Sequence, residues 1–223
     1  MGGLAVAGAA AEIMVLMVLL ARQGVGAGGL AVAVAACLAG AIGARVWYVM
    51  LQRGKVSGLP VRGLAIQGFI AGAALAVLPG LLLARIPVGA FSGAAAPALF
   101  FAMAIGRQGC FLAGCCAGRP TASRWGIWSS DGRVGARRVP AQHLEALACL
   151  LTGTGALAAF LAGHSAGVAV LAGALAAWTL VRQGLLALRA EPRRWHLAAP
   201  VTAAAATAAL IADIIIASGL IAA

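Results

Sequence analysis

Between Ala104 and Leu151, arginine, cysteine, glycine and carboxylate side chains gather in a chain that is otherwise strongly apolar. A guanidinium group binds phosphate or carboxylate by two-point contact and stays charged when partly buried. Arg107 has Gly106 and Gly109 around it and Cys110, Cys115 and Cys116 after it, while Arg45, Arg138, Arg182 and Arg189 fall within apolar segments or at their ends. An arginine at the end of a membrane helix usually anchors it by reaching the interface. Arg107, set among glycines and cysteines, is better suited to holding an anion. Arg182 and Arg189 are seven residues apart, which predicts one shared helix face. Pro140 suits a helix start; helical spacing then puts Gln142, Glu145 and Cys149 on one face, where Glu145 can meet the arginine of the preceding segment.

The cysteines and the remaining acids carry weaker signals. The five cysteines, Cys37, Cys110, Cys115, Cys116 and Cys149, are an odd set in or near helices, which argues against a disulfide framework. Cys110, Cys115 and Cys116 are spaced C-x4-C-C with no histidine close by, unlike the C-x2-C pairs of tetrahedral zinc sites. No metal or cofactor is expected, and the thiols read as small buried side chains or as a thiolate beside Arg107 or Arg119. Glu12 and Asp213 fall in the middle of apolar segments, as relay groups or as internal partners of arginine.

Composition defines what positions these groups. Of 223 residues, 63% are hydrophobic and only 9% charged, and the mean hydropathy is +1.03. This predicts an all-α integral membrane bundle in a single transmembrane domain, residues 1–223. About 20 apolar residues cross a bilayer, and seven segments qualify, at about 4–21, 29–51, 63–84, 88–105, 141–163, 166–187 and 197–222. The apolar start lacks a basic leader and reads as helix one, not a signal peptide. Gly106, Gly109, Gly114, Gly118 and Pro120 predict that helix four breaks or loosens across that stretch. Gly68 with Gly72, and Gly163 with Gly167, have the small-xxx-small spacing that lets helices pack closely. The net charge of +11 would suggest nucleic acid in a soluble chain; here the basic residues cluster at span ends, where anionic head groups are the partners, and no nucleic-acid-reading motif accompanies them.

These residues resemble bacterial prolipoprotein diacylglyceryl transferases, whose signature runs roughly G-R-x-G-N-F-I-N-x-E-x-x-G-R. The segment from Gly106 through Arg107, Gly109, Cys110, Phe111, Cys115 and Gly118 to Arg119 aligns with it without a gap. Gly43-Ala44-Arg45-Val46-Trp47-Tyr48 is similar to a G-x-R-x-x-Y block, and Gly63 to Gly68 to a G-M-S-F-H-G block. Arg138 to Ala146 resembles R-H-P-S-Q-L-Y-E-A, and Arg182 to Arg189 resembles F-R-x-x-x-E-F-F-R. The departures are specific: Gln67 stands where the family has a histidine, Cys110 for its asparagine, Cys115 for its signature glutamate and Leu186 for a late glutamate.

The resemblance implies transfer of a diacylglyceryl group from phosphatidylglycerol to a lipobox cysteine thiol of a preprolipoprotein, or to another acceptor, without a cofactor. It assigns catalysis to Arg107 and Arg182 on the phosphate, with Glu145 or His143 as base. Substrate binding falls to Arg45, Gln67, Gly109, Cys110, Cys115, Gly118, Arg119, Arg138, Gln142 and Arg189. It also implies a multi-pass protein of the bacterial inner membrane; a monomer suffices because one bundle closes on itself. The lost polar positions motivate the alternative of a non-catalytic lipid- or small-molecule-binding protein or carrier. The positive-inside rule puts the loops after helices two, four and six in the cytoplasm; the resemblance implies the reverse orientation, which we adopt as the expectation.

Overall fold

The computed structural model describes residues 2–25, 27–52, 66–132, 134–163, 167–190, 204–205 and 207–208. Six helices longer than four turns run through these residues: α1 (Gly2–Arg22), α2 (Ala27–Gln52), α3 (Ile66–Leu83), α4 (Val88–Leu112), α5 (Ala141–Leu161) and α6 (Gly167–Leu186). The chain is a multi-pass α-helical membrane protein: α2, α4, α5 and α6 each carry a stretch long and apolar enough to cross a bilayer. The expected seventh segment, with Asp213, lies almost wholly outside the described residues, as do Arg53, Lys55, Arg133, Arg193 and Arg194.

The described chain forms two compact units, one of residues 16–91 and one of residues 1–15 and 92–223. In the first, α2 and α3 approach until backbone meets backbone. A Cβ at Gly68 would press into the Gly43 carbonyl and the Trp47 side chain, and one at Gly72 into the Ala39 carbonyl. The Gly68/Gly72 spacing therefore does what small-residue pairs do in membranes, where van der Waals contact replaces the hydrophobic effect as the driving force. Gly163 and Gly167 do not repeat the pattern. Gly163 takes a left-handed φ of 76° just after α5, and Gly167 opens α6, its Cα 3.2 Å from where a Cβ on Gly93 of α4 would sit.

The second unit contains the candidate site. Phe100 of α4, Cys149 of α5 and Trp178 of α6 meet in its core, with Ala104, Met103 and Ala174; the Phe100 and Trp178 rings are 6.2 Å apart and tilted. Each helix carries a charged residue one or two turns from its core residue. Arg107 follows Phe100 by seven positions, Glu145 precedes Cys149 by four, and Arg182 follows Trp178 by four. Seven and four residues both return to the same helix face. One apolar contact between three helices thus directs three charges toward one end, where α4 and α6 finish and α5 begins. Arginine near a helix C-terminus also suits the partial negative charge there.

Helix α4 corrects the expected loosening at Gly106 and Gly109: it runs without interruption to Leu112. Nothing stands within 4 Å of a Cβ placed at Gly106, so glycine there serves no close approach and the helical hydrogen bonds continue past it. The break comes at Gly114, with φ 69°. Gly114 N–H donates to Phe111 O at 2.9 Å, and Cys115 N–H to Cys110 O at 3.1 Å. This pair of bonds, with a left-handed residue between, is the Schellman ending, which satisfies carbonyls a helix otherwise leaves open. The segment between α4 and α5 is ordered by a short antiparallel pair, β1 (Ile127–Trp128) with β2 (Arg137–Arg138), in register Ile127 with Arg138. The Arg137 guanidinium fastens it by donating to the Gly126 and Arg124 carbonyls.

Candidate functional site

Glu145 is the centre of the site. It lies in the second turn of α5, and its side chain is only 3% exposed. Arg107 Nε approaches its Oε2 at 2.9 Å. Arg189 grips the same carboxylate from the other side in a two-point contact, Nε to Oε1 at 2.9 Å and Nη2 to Oε2 at 2.8 Å. Arg107 and Arg189 are themselves only 15% and 8% exposed. A buried carboxylate is tolerated when paired and hydrogen-bonded, and here both oxygens are engaged. Arg182 adds a third guanidinium, 5.0 Å over the Trp178 ring, and is electrostatically coupled to Arg107, Arg189 and Glu145. Three cations around one anion leave an excess of positive charge.

Arg189 reaches Glu145 from outside a helix, which corrects the expectation that it shares a helix face with Arg182. α6 ends at Leu186, and its last bonds tighten: Leu188 N–H donates to Leu185 O at 3.0 Å. The chain is then captured by the segment after α4. Arg119 N–H donates to Leu188 O at 2.9 Å and Ala190 N–H to Ala117 O at 3.0 Å, pairing Gly118 with Arg189. Gly118 permits this because a Cβ there would run into the Val139 carbonyl. On its other side, Val139 N–H donates to Arg119 O at 2.9 Å and Thr121 N–H to Arg137 O at 3.0 Å. The Gly118-to-Thr121 segment thus lies between the strand that leads into α5 and the chain that leaves α6.

Other expected site residues line this framework. Arg138 Nη1 donates to Gly118 O at 3.0 Å, while its Nε is buried with no hydrogen-bond partner among the described residues. Gln142, 4% exposed, donates from Nε2 to Cys115 O at 3.0 Å and ties the start of α5 to the turn after α4. The His143 ring packs edge-on against Phe111, centroids 4.6 Å apart, and its Nδ1 is buried without a partner among the described residues. Gly109 is buried, and a Cβ there would touch Leu4 of α1 at 3.4 Å. Arg119 contributes its backbone, its side chain being exposed. Arg45 belongs to the other unit, its guanidinium 6.0 Å from the Tyr48 ring centroid; Gln67 is on α3, its side chain outside the described residues. Trp178 was not singled out in the sequence, although an aromatic one turn before Arg182 is the signal that could have marked it.

The cysteine spacing gave no hint of what folding does with it. Cys110, Cys115 and Cys116 bring their sulfurs within 4.8 Å of one another, and all are free thiols. Burial pushes the Cys115 thiol pKa up; Cys116 is pushed up first by its own hydrogen bond with Cys110, then by burial, and is opposed by Arg189.

The family model for prolipoprotein diacylglyceryl transferase matches residues 1–222. Similar proteins include two phosphatidylglycerol–prolipoprotein diacylglyceryl transferases, from Trichormus variabilis and from a Nostoc species. Each is 36% identical over 92 residues, 38% of this chain, and the match covers 33% and 32% of their respective lengths. The chain therefore spans about a third of the length of the curated relatives it matches.

Proposed function

The chain belongs to the prolipoprotein diacylglyceryl transferase family, and from that premise we propose that it moves a diacylglyceryl group from phosphatidylglycerol to a thiol acceptor, a preprolipoprotein cysteine being the first candidate. The observation that carries this reading is the grip of Arg107 and Arg189 on the single buried carboxylate of Glu145, with the Arg182 guanidinium held over Trp178 in the same unit. Displacing a phosphate from a glycerol carbon builds charge on the leaving oxygen, and preorganised guanidinium groups stabilise that charge without reorganising. Glu145 holds two of the guanidiniums in place, so its role is to orient them. Arg182, stacked on Trp178, and Arg107, paired through Nε with Glu145, are the cations that meet the lipid phosphate. Arg138, with its unpartnered Nε, extends the anion-binding surface.

Attack by a thiol requires a base. Both Glu145 oxygens are engaged by arginine, so His143 Nδ1, buried and unpartnered among the described residues, is the better placed of the two expected bases. The thiol proton passes to His143, the thiolate attacks the glycerol carbon, and the carbon–oxygen bond to phosphate breaks with release of glycerol phosphate. Gly109, Gly118, Arg119, Gln142, Cys110 and Cys115, in the same unit, are the substrate-binding positions of this reading. The inner membrane of a bacterium is the compartment this substrate pair implies.

Mass spectrometry of the purified protein incubated in micelles with phosphatidylglycerol and a lipobox peptide tests the proposal. The expected result is a diacylglyceryl-peptide adduct with released glycerol phosphate, lost in Arg107→Ala. An adduct that persists in Arg107→Ala overturns the assignment of the phosphate site. Lipid binding without any adduct favours the non-catalytic carrier, the reading motivated by Gln67, Cys110, Cys115 and Leu186 at positions where the family has other polar groups.

A further inference from the structure

We infer that Cys110, Cys115 and Cys116 form a three-sulfur site for one thiophilic d10 metal ion, a function the lipid chemistry does not require. The sulfurs lie within 4.8 Å of one another. Metal–sulfur bonds of about 2.3 Å in a trigonal plane separate sulfurs by roughly 4 Å, so side-chain rotation alone closes the site. Soft thiolate ligands select soft cations such as Cu(I) or Zn(II) over hard ones.

Helix ending explains only two of the three cysteines. Cys110 and Cys115 occupy the two positions that touch in a Schellman turn, the third-last helical residue and the second residue beyond the cap, and Cys115 Sγ lies 3.6 Å from Cys110 O. A contact there is ordinary. Cys116 is not part of that motif. It adopts φ 57°, a left-handed conformation that is costly for a residue with a Cβ, and its sulfur nevertheless joins the other two. The paired backbones of Ala117–Arg119 and Leu188–Ala190 that follow it hold the chain in that conformation.

Cys115 and Cys116 favour the protonated form when no ion is bound, and nearby arginine charge compensates the thiolates once an ion displaces their protons. Arg107 acts electrostatically on Cys110 and Arg189 on Cys116, which offsets the negative charge left when three thiolates bind a monovalent or divalent ion. Capture of the metal displaces the thiol protons to solvent, so binding strengthens as pH rises.

The test uses the full chain in detergent micelles, reduced, stripped with chelator and titrated with Cd(II) alone under anaerobic conditions. Sulfur-to-cadmium charge-transfer absorbance should saturate at one ion per chain, unchanged in Cys37→Ser. Removing a direct ligand should cost at least what losing an outer-shell partner costs, so Cys116→Ser is expected to weaken binding about tenfold or more. Mapping maleimide protection by mass spectrometry on the wild-type chain gives a readout that no folding defect can mimic: Cys110, Cys115 and Cys116 should be protected together when cadmium is bound. Absorbance that does not saturate at one equivalent, or protection that omits Cys116, overturns the site.

Discussion

Replacing Glu145 with glutamine removes one charge and almost nothing else, and its cost follows from the geometry. The carboxylate pairs with both Arg107, at 2.9 Å, and Arg189, at 2.7 Å by its shortest contact. At charge separations near 4 Å and an effective dielectric of about 20, each attraction is worth about 4 kcal/mol. Much of that is offset by the desolvation the three groups have already undergone, so the net figure is set by what removing one partner of a buried pair costs, about 3–5 kcal/mol. All three side chains are at least 85% buried, so solvent screening reduces this little. Equilibrium unfolding in mixed micelles measures it. Arg107→Gln should cost less than Arg189→Gln, because Arg189 makes the two-point contact and Arg107 a single one. Coupling should also appear in the cycle: Glu145→Gln combined with Arg107→Gln should be less destabilised than the sum of the single changes, by about 0.5–3 kcal/mol. A Glu145→Gln protein within about 0.5 kcal/mol of wild type, the range of an ordinary surface substitution, would refute the buried carboxylate as the site's organiser.

Three other outcomes are expected. Gly118→Ala drives a Cβ into the Val139 carbonyl, and since both partners are backbone the strain should reach the 1–3 kcal/mol of overpacking; unfolding midpoints check this, and a neutral result would mean that the Gly118–Arg189 pairing yields freely. Gly68→Leu should prise α2 from α3, because Gly43 and Trp47 occupy the space; cysteine cross-linking between the two helices should fall, and undiminished cross-linking would count against backbone contact. In metal-stripped protein, Cys115 and Cys116 should alkylate more slowly at pH 8 than a free thiol of pKa about 8.5, because their raised pKa values leave less thiolate. The sign for stability follows: the preference for protonated thiols is fully present below the unfolded value and is lost as pH rises through the folded one, while alkylation at the free-thiol rate would contradict the burial.

The arginine-to-glutamate contact was legible because helical periodicity acts locally. With Pro140 marking the start of α5, spacing alone placed Gln142, Glu145 and Cys149 on one face, and all three are buried there. Gly68 and Gly72 were legible for the same reason. Arg189 was not: seven residues after Arg182 means one face only while the helix continues, and whether α6 continues past Leu186 depends on competition from a segment some 70 residues earlier in the chain. Helix α4 misled in the opposite direction, since glycine weakens a helix by only about 1 kcal/mol and tertiary packing outweighs that.

That this chain enters a membrane as helices, which family its motifs belong to, and that arginine carries its chemistry all follow from residue order, because hydropathy, motif order and residue type need no folded partner to be read. Which cations share Glu145, that Arg189 reaches it from an extended segment, and that three cysteines spaced C-x4-C-C meet emerge with folding. Those contacts join residues up to 82 positions apart, Arg107 to Arg189 through Glu145; long-range charge pairing and backbone capture are settled by the whole fold and leave no periodic trace along the chain.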